Sequence, residues 1–84
     1  MHLLILSPDQ EVFSGDIKSV KVPAKGGQFE VLSRHAPVVA ALEKGIIRVI
    51  NSKDEKSTFN INEGYVEVLN DEVVILVSSG EAKG

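Results

Sequence analysis

The stretch Tyr65–Val77, YVEVLNDEVVILV, decides the fold class. Two β-branched, apolar runs flank Asn70-Asp71, a pair suited to a tight turn, so the stretch reads as a β-hairpin. Its second arm ends in VVILV, which has no polar position and reads as a strand buried on both faces or nearly so. That places the arm at the centre of a core.

Working outward, the same signals recur. Glu63-Gly64 turns the chain before the hairpin. Ile46–Asn51 and Ser57–Asn62 alternate across the polar run Ser52-Lys53-Asp54-Glu55-Lys56, the pattern of a second hairpin with a solvated tip. Val38–Leu42 has helical propensity, but the few residues between Pro37 and Gly45 are too short for a stable helix, and it is read as a strand. Gln28–Leu32 places Phe29 and Val31 on one face, and Pro37 biases Ala36 towards extended backbone. Asp16–Val22 alternates imperfectly: Val20 and Val22 share a face with Lys18, while Ile17, Ser19 and Lys21 share the other. Glu11–Phe13 and Leu3–Leu6 make short strands, with turns at Ser14-Gly15 and Pro8-Asp9.

About nine or ten short strands with tight turns and no crossover helix imply an all-β fold, a two-sheet antiparallel β-sandwich. The chain has 84 residues, which is one domain. Residues 1–80 are assigned to the sandwich. The small, polar end of the chain offers no apolar side chain for docking, so 81–84 are expected to form a flexible tail.

Composition narrows the function. The formal net charge is −3, and the nine Lys and Arg residues are scattered, which argues against nucleic acid as a partner. The absence of cysteine removes disulfides, thiolate metal sites and thiol nucleophiles. No apolar run approaches the ~20 residues of a membrane-spanning helix, and HLLIL, followed at once by Ser7-Pro8-Asp9, reads as a strand and not a leader. Gly26-Gly27 neither follows the spacing of a phosphate-binding loop nor opens a helix, so it reads as a hairpin connection. Neither histidine has a nucleophile at readable spacing, and no catalytic, metal or cofactor site is implied.

The order of three motifs carries a resemblance. The first is SPDQEVFSGDIKSVKVP, with Phe13-Ser14-Gly15 and Val20–Pro23. The second is GGQFEVLSRHAPVVAALEKGIIRV, with His35, Ala36, Pro37, Leu42 and Gly45. The third is NEGYVEVLNDEVVILVSSGE, with Gly64–Val68 and Val73–Val77. In this order, from Leu3 to about Glu81, they resemble the N-terminal domain of the epsilon subunit of the F-type ATP synthase, called delta in mitochondria. Two positions depart from the family pattern: Glu30 stands where glycine is usual, and Ser33-Arg34 replaces a common Pro-Gly or Lys-Asn pair. A positive φ at Arg34 costs a non-glycine residue about 1 kcal/mol or more. The inhibitory, in some members ATP-binding, helical hairpin that follows in the family is absent from this sequence.

The resemblance implies a non-catalytic rotor subunit of the central stalk, linking the gamma subunit to the membrane ring of c subunits and helping couple ion translocation to ATP synthesis. Membrane contact would go only through the ring. The implied location is the cytoplasmic face of the bacterial inner membrane, or the matrix or stromal face in an organelle. Ring contacts carry over to Gln28, Glu30 and His35, with Glu30 pairing a basic ring residue to compensate for the neutral Gln28. Gamma contacts carry over to Ser7, His35, Ala36, Val38, Val39 and Ala40. The competing reading is a biotinyl- or lipoyl-type carrier with a modified Lys53 at the hairpin tip. Against it, Lys53 lacks the flanking residues of such modules and the chain lacks their internal repeat.

Overall fold

A computed structural model describes residues 1–78 and, as backbone, 80–83. Nine strands follow one another: β1 (His2–Leu6), β2 (Glu11–Val22), β3 (Phe29–Leu32), β4 (Val38–Leu42), β5 (Gly45–Asn51), β6 (Lys56–Ile61), β7 (Gly64–Leu69), β8 (Glu72–Val77) and β9 (Gly80–Lys83). They form two packed sheets sharing β2. One runs β4-β7-β8-β1-β2, and the other runs β3-β2-β5-β6-β9. The all-β sandwich read from the sequence is therefore the observed architecture, including β4, the segment with helical propensity.

Three local expectations are corrected. Ser14-Gly15 is not a turn: Glu11–Phe13 and Asp16–Val22 belong to one 12-residue strand, because Ser14 and Gly15 pair with Leu4 and Leu3 of β1. The first half of β2 lies in one sheet and the second half in the other, so this strand makes the corner of the sandwich. The sheet is also not purely antiparallel. β1 pairs in parallel with β8, from His2 opposite Glu72 to Leu6 opposite Leu76, and the whole of β2–β7 supplies the long connection such a pair needs. Finally, β8 is buried on one face only: Val73, Ile75 and Val77 point inward, whereas Leu76 is 51% exposed.

The imperfect alternation of β2 has a physical cause. The β2–β5 register slips between Ile17 and Ser19, so Lys18 is an extra residue and inward parity changes from odd to even. Ile17, Val20 and Val22 thereby all reach the core. They pack with Leu3, Ile5, Val31, Leu42, Ile47, Val49, Phe59, Val66 and Ile75. Phe59 also meets Phe13 edge to face, with ring centroids 5.7 Å apart.

Turn chemistry closes the hairpins. Asn70 (φ 50°) and Asp71 (φ 63°) are both left-handed, the signature of a two-residue I′ turn joining Leu69 to Glu72. At the β5–β6 tip the Asn51 carboxamide oxygen accepts from the Lys53 and Glu55 amides, each at 2.9 Å, and Lys18 Nζ reaches Asp54 at 2.7 Å. Lys53 sits exposed on this ordered tip.

The expected tail, residues 81–84, is paired as far as Lys83: β9 runs antiparallel to β6, with Ile61 opposite Gly80 and Thr58 opposite Lys83. Main-chain hydrogen bonding along the β6 edge needs no apolar side chain, which is why composition gave no sign of it. Gly84 lies outside the described residues.

Candidate docking surfaces

The predicted ring-contact residues lie in and beside β3: Gln28 just before it, Glu30 within it and His35 three residues after it. The β2–β3 connection turns at Ala24–Gly27, where the Gly27 amide donates to the Ala24 carbonyl at 3.0 Å; Gly26 (φ 91°) and Gly27 (φ 138°) occupy backbone conformations that favour glycine. Gln28 follows, exposed, immediately before β3. At the other end the His35 amide donates to the Leu32 carbonyl at 3.1 Å, closing a turn whose third residue, Arg34, has φ 66°. That position favours glycine, and Arg34 takes the left-handed backbone there at the cost weighed above.

His35 folds back along β3. Its ring stacks on Phe29 with centroids 6.1 Å apart and planes 28° from parallel. Its Nδ1 lies 2.7 Å from the Ala36 carbonyl oxygen. A carbonyl can only accept, so Nδ1 carries the proton and the neutral ring presents Nε2 as an acceptor. Residues at opposite ends of a four-residue strand thus share one surface, with Gln28 adjacent to Phe29. Glu30 is exposed on the outer face of the sheet, opposite Lys21 in the ladder. This places a cation of the chain itself beside the carboxylate.

The predicted gamma-contact residues divide. Val39 points outward and is 69% exposed, whereas Val38 and Ala40 lean inward against the core. Ala36 and His35 are exposed in the loop before β4. Ser7 is three strands away, in the β1–β2 turn, where its amide and hydroxyl both donate to the Gln10 carbonyl.

A row absent from the sequence reading links these parts. Ala41, Tyr65, Leu76 and Leu6 stand side by side across β4, β7, β8 and β1 on the outer face of the sheet. Tyr65 is 61% exposed, and Val39 and Val74 lie in the next row. Such an apolar row on the face away from the core is a surface suited to a protein partner. Its signal lay in the parity of VVILV, since inward Val73, Ile75 and Val77 force Leu76 out.

A Ser-His-Asp constellation also occurs: His2 lies 3.4 Å from both Asp16 Oδ1, through Nδ1, and Ser14 Oγ, through Nε2. All three residues are exposed on the sheet surface, and the distances exceed good hydrogen-bond geometry. A hydrolytic site further needs donors converging on an oxyanion, which a regular β1–β2 ladder does not present.

A family model described as the ATP synthase delta/epsilon chain beta-sandwich domain matches residues 1–83. The chain is 39% identical over 80 residues to the ATP synthase epsilon chain of Protochlamydia amoebophila, covering 95% of this chain and 54% of that relative. It is 40% identical over 72 residues to the epsilon chain of Chlorobaculum tepidum, covering 86% of this chain and 82% of that one. Coverage of the Campylobacter hominis epsilon chain is 61%, so the chain spans little more than half the length of several relatives. Among solved structures, a chain of the Euglena gracilis mitochondrial ATP synthase superposes with a TM-score of 0.87 at 20% identity, covering 95% of this chain and 51% of that one. At that identity the likeness shows the fold.

Proposed function

The chain belongs to the ATP synthase delta/epsilon β-sandwich family, and from that membership we propose that it is a non-catalytic rotor subunit of the central stalk. In this reading it joins the gamma subunit to the c-subunit ring and transmits torque between them as ion translocation is coupled to ATP synthesis. The task requires a stiff body with two separate binding surfaces. A close-packed core of stacked strands supplies the stiffness.

The observation that carries the proposal is the presence on that core of two exposed surfaces that meet at His35. Gln28, Glu30 and His35 are assigned to the ring, with the Phe29–His35 stack holding the loop in shape. The gamma surface is assigned to Ser7, His35, Ala36, Val38, Val39 and Ala40, extended by Leu6, Tyr65 and Leu76. The apolar row runs from the neighbour of Ser7 to the neighbour of Ala40, so it joins otherwise separate contacts into one surface.

The proposed location is the cytoplasmic face of the bacterial inner membrane, or its matrix or stromal equivalent, reached only through the complex. Co-expression with gamma and the ring subunits, followed by affinity purification on this chain, tests the reading. Both partners are expected to be retained. Recovery of the folded chain without either would overturn it.

A further inference from the structure

The outer face of the β3-β2-β5-β6-β9 sheet carries a cluster that the rotor reading does not use. Lys21 of β2 stands directly opposite Arg48 of β5, and Lys56 enters from the start of β6, opposite Ile50. None of the three makes an ion pair with a carboxylate among the described residues. Like charges opposite one another on adjacent strands destabilise a sheet. A chain of net charge −3 nevertheless holds this pair side by side, with Glu30 opposite Lys21 but forming no ion pair with it.

The cations surround a cleft of about 240 Å³, lined in part by Ser19, Ser57 and Glu30. Ser19 is only 6% exposed, and its hydroxyl makes no hydrogen bond to another described residue. No fully occluded side-chain polar atom lacks a partner among those residues, so this hydroxyl opens to the surface. The surface it opens to is this cleft. A nearly buried, unpartnered donor beneath three unpaired cations is complementary to a compact, multiply charged anion rich in acceptor oxygens.

We infer that the Ser19–Lys21–Arg48–Lys56 cleft binds a phosphate group, as inorganic phosphate or a phosphate monoester. The Arg48 guanidinium offers two parallel N–H donors to neighbouring phosphate oxygens, the two lysines contribute charge, and the Ser19 hydroxyl donates from the floor. Glu30, at the rim opposite Lys21, opposes the anion and limits its affinity. The inference shares Glu30 with the ring surface of the rotor reading, but its cations and Ser19 are not used there, and phosphate binding to the isolated chain does not require that reading.

Titration of the 84-residue chain with inorganic phosphate and with glycerol 3-phosphate, followed by amide NMR shifts against chloride at matched ionic strength, tests it. Saturable shifts centred on Ser19, Lys21, Arg48 and Ser57 are expected. Arg48→Ala, at an exposed position, is expected to weaken binding about tenfold, the scale of a charge-assisted pair. Ser19→Ala removes an unpartnered hydroxyl, so it is expected to weaken binding without lowering the melting temperature, and Glu30→Gln to tighten binding. Vesicles containing phosphatidic acid, competed with free phosphate, identify the source: competed vesicle binding supports a lipid headgroup, and binding of the free anions alone supports a soluble ligand. Absence of saturable shifts at the cleft, or affinity unchanged in both Arg48→Ala and Ser19→Ala, would overturn the inference.

Discussion

The rings of Phe29 and His35 are stacked 6.1 Å apart, tying the loop that precedes β4 back onto the start of β3. The contact makes a single surface from two segments that the sequence separates by a turn. An aromatic pair of this kind contributes roughly 0.5–1.5 kcal/mol beyond its buried area. A double-mutant cycle with Phe29→Leu and His35→Ala, read by urea denaturation, should return a coupling energy in that range. Strict additivity of the two substitutions would show that the stack does not hold the loop.

Arg34 sits at φ 66° in the turn that His35 closes. Relief of left-handed strain favours Arg34→Gly by roughly 1–2 kcal/mol, and the greater freedom of glycine in the unfolded chain offsets part of this gain. The expected net outcome is stabilisation by about 0.5–1 kcal/mol, visible as a higher urea midpoint with an unchanged slope. A lower midpoint would mean that the Arg34 side chain contributes more than its backbone costs.

Gly64 presents the opposite case. A Cβ placed there falls on the carbonyl oxygen of Leu76 in the adjacent strand, where neither backbone can yield without breaking the β7–β8 ladder. Gly64→Ala should therefore destabilise the domain by at least about 2 kcal/mol, the scale of overpacking against fixed atoms. Thermal unfolding measures it, and a melting temperature within error of the parent would contradict the close approach.

The hairpin tip depends on one side chain. Asn51 Oδ1 accepts from two backbone amides, and its Nδ2 donates to Glu55 at 2.8 Å. Asn51→Ala leaves those amides to water at an exposed turn, so the cost should be about 1 kcal/mol and not the larger penalty of a buried orphan. Amide hydrogen exchange should accelerate at Lys53 and Glu55 while the core remains protected. Unchanged exchange there would rule out the side-chain bracket.

Much of this architecture is legible in local pattern, because strand periodicity and turn residues act over a few positions. Val38–Leu42 is readable as a strand because Pro37 and Gly45 leave too little room for a helix, and Asn70-Asp71 announces its own turn. Other features depend on partners distant in sequence. The bulge at Lys18 exists through pairing with β5, and the parallel β1–β8 contact joins the two ends of the fold. The site follows the same division: motif order identifies His35, but its approach to Phe29 needs the folded loop. Leu76 reads as core until the neighbouring register shows that its side of the sheet is open.

That open side permits a test separating the two proposed interfaces. Tyr65 and Leu76 face one another across β7 and β8 with half or more of each residue exposed, so polar replacements there should leave folding stability within about 0.5 kcal/mol. An apolar contact at the centre of a partner surface is costly to lose, and a buried charge costs more. Tyr65→Ser with Leu76→Glu should therefore abolish co-purification of gamma with a normally folded chain. Glu30→Lys lies on the other sheet, beside Lys21, and should leave gamma binding intact while weakening retention of the ring through reversed charge. Size-exclusion profiles of the two variants with each partner compare the surfaces directly. Loss of both partners in either folded variant would show that the surfaces are not separate, and retention of gamma by the Tyr65/Leu76 variant would remove the apolar row from the interface.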